Sequence, residues 1–274
     1  MEQYIISNDI KHVSFVIGHP DDEIMFFNQV LLSLNNLNHS NLSQIHVVCL
    51  TNKDTIRHHE LVKSCEQILS NHLNILKVSC YDYKDSMTEL WNVDDVGHTL
   101  KTIINPVDKS KSLIITFDKD GISNHINHRT CYQLCKDNFK DSHVFALKTP
   151  SFALKYSSFF ILVFCYLSLI LCPPSKSNEI QFNNHSVKQW LHVVTVMCKC
   201  HKSQMVWYRW LWWVSNSLVW SCKLVKVDGL ADSKKSNWNR CNNLIDNITK
   251  KNSGNMIIYW WCSNKTKKKK RICI

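Results

Sequence analysis

The chain has 274 residues, enough for one large α/β domain with an appendage, and a formal net charge of +11. With only 5 glycines it contains neither GxGxxG nor GxxxxGK[ST], which argues against a nucleotide-binding enzyme. The charge is lopsided: from Gly229 to Ile274 eleven Lys and Arg face two acids, Asp232 and Asp246. A terminal run of this kind, and no patterned face, argues against nucleic acid as a partner.

In chain order, the apolar run Val13 to Ile17 reads as a first strand. It ends in Gly18 and the pentapeptide His19-Pro20-Asp21-Asp22-Glu23. Met25 to Leu37 reads as a helix, with Met25, Phe26, Val30, Leu31 and Leu34 forming one apolar stripe. Ile45 to Leu50 is a second strand, Thr55 to Leu69 a helix, and Leu76 to Cys80 a third strand. Asp94 to Ile104 is helical and Leu113 to Phe117 a fourth strand, followed by His125-Ile126-Asn127-His128. Strands alternating with helices predict an α/β fold with a mostly parallel, doubly wound, Rossmann-like sheet and helices on both faces.

Each histidine-bearing cluster thus follows a strand, and ligands of open α/β sheets bind at the carboxyl ends of strands. Imidazole nitrogen and carboxylate oxygen are the donor types that hold a catalytic Zn²⁺. The pair of clusters points to a metal hydrolase.

The second half changes character. Phe159 to Cys172 is nearly all apolar, but at about 14 residues it falls short of the roughly 20 needed to span a bilayer. It reads as a buried core segment or an interfacial one. Trp207-Tyr208-Arg209-Trp210-Leu211-Trp212-Trp213 resembles an interfacial aromatic belt, with buried core as the competing reading. The 13 cysteines are scattered, and no leading segment has the order of a signal peptide. Free thiols in a reducing compartment are expected.

The pentapeptide with Ile24-Met25-Phe26-Phe27, and the second cluster His125 to His128, resemble the LmbE-like zinc deacetylases. The closer likeness is to their eukaryotic branch, the PIG-L family of N-acetylglucosaminyl-phosphatidylinositol de-N-acetylases. Further motifs carry it: Arg57-His58-His59-Glu60-Leu61, Trp91, Phe117-Asp118-Lys119-Asp120-Gly121-Ile122-Ser123, Lys155-Tyr156, and His201-Lys202-Ser203-Gln204 leading to Arg209. Coverage is roughly residues 12 to 224. Two departures stand out: the loop after the second strand is cut to Thr51 to Thr55, and Asn124 stands where the branch usually has glycine. No amino-terminal membrane helix precedes the first strand.

The resemblance implies an LmbE-like deacetylase domain over 1–224. Within it the aromatic and apolar region at about 156–222 reads as membrane-facing, and the charge run makes 225–274 a basic tail, disordered by default, that resembles nothing in the family. The resemblance also implies Zn²⁺, or another divalent cation, held by His19, Asp22 and His128. Asp21 falls to the general base and His125 to the acid or oxyanion stabiliser. Glu23 would orient a neighbour from behind, and Arg57 and His201 would contact substrate. The implied substrate is the glycolipid of anchor biosynthesis, met at the cytoplasmic side of the endoplasmic reticulum membrane.

Bland alternatives exist for each residue. Asp21 or Asp22 would serve as a helix cap, Arg57 as a surface ion-pair partner, and His125 or His201 as structural histidines. Two other functions compete: a soluble LmbE-like deacetylase of another N-acetylglucosaminide, and a non-catalytic family descendant acting as an interaction protein.

Overall fold

The computed structural model describes residues 1–37, 41–104, 108–171 and 179–227. The tail expected over 225–274 lies outside the described residues from 228 onward. So does Pro173-Pro174 at the end of the apolar segment.

Helix α1 (Glu2–Ser7) leads into strand β1 (His12–Ile17), then α2 (Asp22–Phe26) and α3 (Asn28–Asn35). Strand β2 (Gln44–Thr51) and helix α4 (Ile56–Ile68) follow, then β3 (Leu76–Tyr83), α5 (Val93–Ile103) and β4 (Ser112–Phe117). A short turn labelled α6 (Gly121–Asn124) opens α7 (Ile126–Asn138), which returns to β5 (His143–Leu147). The remainder comprises α8 (Phe152–Lys155), α9 (Ile161–Leu171), β6 (Glu179–Asn183), α10 (Val187–Cys200), α11 (Trp207–Ser215) and β7 (Ser221–Lys226).

The strands form one sheet in the order β3-β2-β1-β4-β5-β7-β6. The first five run parallel, while β7 and β6 add an antiparallel edge. All four strands expected from the apolar runs are present, and the parallel, doubly wound architecture is as anticipated. Helices α5 and α7 pack together, as do α3 with α4 and α4 with α10. Val13, Phe15, Val16, Ile17, Val47, Val48, Leu113, Ile114 and Ile115 are buried, as strands covered on both faces require.

Two local differences matter. The helix expected from Met25 to Leu37 starts earlier and breaks at Phe27, whose φ of −108° leaves the helical range. The early start brings Asp22 into the first turn of α2. Strand β7 also carries the sheet two residues past the expected domain boundary at 224.

The chain leaves β1 toward β2 and β3 on one side and resumes with β4 on the other. The gap beyond the carboxyl ends of β1 and β4 is therefore the topological switch point, where crevices form in such sheets.

Candidate metal centre and active site

His19 leaves the end of β1, and Asp22 begins α2. Asp22 Oδ2 accepts from the backbone amides of Gly18 and His19 at 3.0 and 2.8 Å. The same oxygen lies 3.6 Å from His19 Nδ1 and 3.2 Å from His128 Nε2. His128, on the first turns of α7, brings its Nε2 to 3.1 Å from His19 Nδ1. One carboxylate oxygen and two ring nitrogens thus converge on one point. Gly18 permits the approach: a Cβ there would sit 3.0 Å from His128 Cδ2.

Outer contacts orient both rings. His128 Nδ1 is 3.1 Å from the carbonyl of Gly121, which only accepts, so in the neutral ring Nε2 presents its lone pair to the cluster. Phe117 stacks on that ring at 3.9 Å. His19 Nε2 meets Asp85 Oδ1 at 3.1 Å and Asn127 Nδ2 at 3.1 Å. Burial opposes charge on His19, but Asp22 and Asp85 overcome it and raise the ring to about 10. Asp22 is held well below the ordinary carboxylate range by His128 and His19, against the effect of its burial.

This donor set fits a divalent cation. Two imidazole nitrogens and a carboxylate oxygen converging on one point are the donor types that hold such a cation once the rings give up their protons. His125 joins the cluster: nitrogens of His19, His125 and His128 all lie within 4.8 Å of one another. His125 Nδ1 also accepts the amide of Asn127 at the start of α7. Burial first, then the charges of His19 and His128, lower the His125 ring to about 4.

The loop carrying His125 is pinned from behind. Asp118 accepts the amides of Asp120 and Gly121 on Oδ1, and the Thr149 amide on Oδ2 at 2.7 Å. Lys155 Nζ donates to the Ile122 carbonyl at 3.0 Å. Asn124 takes φ of 62°, a left-handed conformation that asparagine tolerates better than most residues.

Asp21 is 3% exposed and has φ of 143°. Arg209 Nη2 donates to its Oδ2 at 2.6 Å, and Arg57 Nη2 lies 3.7 Å from its Oδ1. Burial raises Asp21, Arg209 opposes the rise, and neighbouring Asp22 adds to it. Arg57 also reaches Asp85 at 3.2 Å and the Pro20 carbonyl at 3.3 Å. The shortened loop closes with Asn52 and Asp54 at positive φ, and Thr51 Oγ1 donates to the Gly18 carbonyl at 2.8 Å.

His19, Asp22, His125 and His128 therefore meet, with Asp21 and Arg57 at the edge of the cluster. His201 does not present itself to open space. It is fully buried, and its Nε2 lies 2.6 Å from Glu23 Oε1.

Arg209 and Asn127 stood inside recognised motifs but were given no role in the site, and Asp85 was not singled out at all. Arg209 stands four residues before the buried Trp213, so helical spacing places the two on one inward face. Asp85 lies in a loop and carries no such signal.

The layout, a cation site at the switch point with a second carboxylate and an imidazole beside it, suits metal-dependent hydrolysis. A family profile described as PIG-L, GlcNAc-PI de-N-acetylase, matches residues 14–139. The chain is 30% identical to the N-acetylglucosaminyl-phosphatidylinositol de-N-acetylase of Saccharomyces cerevisiae, over 76% of this chain and 78% of that protein. It is also 30% identical to a probable N-acetylglucosaminyl-phosphatidylinositol de-N-acetylase of Schizosaccharomyces pombe, over 74% and 82%. Among solved structures, a deacetylase of the teicoplanin biosynthetic pathway superposes with a TM-score of 0.49 at 12% identity, over 80% of this chain and 99% of that one. The chain belongs to the PIG-L family of de-N-acetylases.

Proposed function

We propose that the protein hydrolyses the N-acetyl group of N-acetylglucosaminyl-phosphatidylinositol, giving glucosaminyl-phosphatidylinositol and acetate in the biosynthesis of glycosylphosphatidylinositol anchors. The convergence of His19, Asp22 and His128 within 3.6 Å of one another carries this reading, together with the family. We assign Zn²⁺ to these three residues, because an N₂O donor set suits it. When bound, zinc supplies Lewis acidity toward the amide carbonyl and lowers the pKa of a water to about 7.

The chain's own groups move the protons. Asp21 takes a proton from the attacking water as its oxygen bonds to the acetyl carbon. Arg209 and Arg57 hold the Asp21 carboxylate in place and favour its charged form. His125, kept neutral at rest by burial, takes up one proton from solvent as negative charge builds on the carbonyl oxygen, and gives it to the departing sugar nitrogen. Asp21 releases to solvent the proton it took, so both groups end as they began and one water has been added across the amide. Arg57, with guanidinium hydrogens beside the cluster, is assigned to the hydroxyls or phosphate of the substrate.

The lipid substrate requires a membrane surface, and the exposed apolar residues supply one. Phe159, Phe160, Val163, Phe164, Tyr166 and Leu167 are exposed around α9, and Trp207, Tyr208, Trp210, Leu211 and Val214 on α11. Ser158 Oγ donates to the Val214 carbonyl at 2.5 Å and joins the two patches. No helix among the described residues is long and apolar enough to cross a membrane. We assign these patches to interfacial docking on the cytoplasmic side of the endoplasmic reticulum. The experiment is release of acetate from the glycolipid in phosphatidylinositol vesicles by the zinc-loaded protein. Absence of release would sink the proposal, and release from a soluble N-acetylglucosaminide alone would favour a soluble deacetylase.

A further inference from the structure

We infer that the buried Glu23–His201 pair is a positioning device for Asp21, holding its backbone in a conformation that it would otherwise leave. The inference rests on the proposed reading of Asp21 as the base.

Asp21 has φ of 143° and ψ of −14°. A non-glycine residue there is strained, and such strain persists only where the surroundings over-determine it. What determines it is the Asp21 amide, which donates to Glu23 Oε2 at 3.1 Å. The other oxygen of Glu23, Oε1, lies 2.6 Å from His201 Nε2, and both side chains are fully enclosed. Each carboxylate oxygen is thereby committed, one to the backbone of Asp21 and one to an anchor 178 residues away.

The anchor is itself fixed. His201 caps α10, its amide donating to the Met197 carbonyl at 2.9 Å. Two residues on, the Ser203 amide donates to Glu60 Oε1 at 2.8 Å. The clamp therefore ties α2, α4 and the end of α10 together behind Asp21. A buried pair of this kind adds little to stability compared with apolar packing, and His201 Nδ1 has no hydrogen-bond partner among the described residues. Its polar character is explained by the geometry it imposes one residue away from the metal-ligating Asp22. His201, expected to touch substrate, acts instead through Glu23 and Asp21.

Glu23→Ala is the direct test. The kcat for the glycolipid should fall about 100-fold, the cost of misplacing a catalytic group by about 1 Å. KM and the zinc Kd should stay close to wild type. In an Asp21→Asn background the same change should cost nothing further, because the two residues act as one unit. His201→Ala should lose kcat in the same way. His201→Gln, whose amide still donates to Glu23, should recover most of it.

Circular dichroism and the zinc isotherm report the fold of each variant. If His201→Ala does not fold, Glu23→Ala and the double variant decide. A kcat near wild type in Glu23→Ala, a loss that falls on KM, or a further loss in the Asp21→Asn background would overturn the inference. A wild type that binds zinc but releases no acetate would instead overturn the proposed function. The clamp would then be read from a crystal structure of Glu23→Ala, in which an unchanged Asp21 φ would refute it.

Discussion

Arg209 on α11 donates its Nη2 to Asp21 Oδ2 at 2.6 Å, joining residues 188 positions apart. It is the charged neighbour that most strongly opposes the rise that burial imposes on Asp21. Arg209→Ala should therefore lower kcat by roughly 100-fold through a misplaced carboxylate, with zinc binding unchanged. Arg209→Lys should lose less, because it keeps the charge while losing the fork. Steady-state kinetics beside a zinc titration check both, and a wild-type kcat in Arg209→Ala would refute the assignment.

Metal ligation and proton transfer separate by substitution. Asp21→Asn should lower kcat by about 10²–10⁴-fold, leaving a measurable residual rate, and retain stoichiometric zinc. His128→Ala removes one donor and should raise the zinc Kd by at least about 100-fold, since even outer contacts of such ligands are worth 10–100-fold. Metal analysis of the purified variants checks this, and full zinc content in His128→Ala would contradict the ligand set.

Membrane docking through α11 predicts a graded loss. Trp207, Trp210 and Leu211 are all exposed, so replacing them by alanine removes apolar area without opening the core. At roughly 25 cal/mol per Å², each large side chain withdrawn from the bilayer interface should cost about tenfold in partitioning. Flotation with phosphatidylinositol vesicles measures it, with the melting temperature expected to stay unchanged. Equal flotation of the triple variant and wild type would remove α11 from the docking surface.

His46 predicts a pH dependence of stability. It is 1% exposed, and its Nε2 lies 2.9 Å from Ser79 Oγ. Burial, then Lys77, lowers it from 6.5 to about 4. The folded ring thus binds its proton less readily than the unfolded one. Stability from this group is fully present above about pH 6.5 and declines as pH falls toward 4. The loss is on the order of 3 kcal/mol across that window. Urea unfolding at pH 7 and 4.5 should show a smaller drop for His46→Gln than for wild type; identical drops would refute it.

The parallel sheet was legible because β1, β2 and β4 are nearly continuous apolar runs, with polar or turn residues closing each. That pattern belongs to strands covered on both faces. The later strands were not legible. β5, β6 and β7 are 5 to 6 residues long, and β6 and β7 pair antiparallel beyond the alternating region. Of the three only β6 is an edge strand, and β6 and β7 mix polar with apolar residues, so neither reads as a continuous buried run. The aromatic stretch showed in sequence that it is rich in tryptophan. Only the fold shows that Arg209 and Trp213 turn inward while Trp207, Trp210 and Leu211 face out.

The sequence alone determined the donor chemistry: three imidazoles in two clusters, with carboxylates adjoining the first, each cluster following an apolar strand. Those are local facts, set by residue type and by the period of the backbone. Tertiary structure decided which groups meet. It brought Arg209 to Asp21, Asp85 to His19 and His201 to Glu23. These contacts join segments far apart in the chain. Their geometry depends on how helices pack across the switch point, which no local pattern encodes.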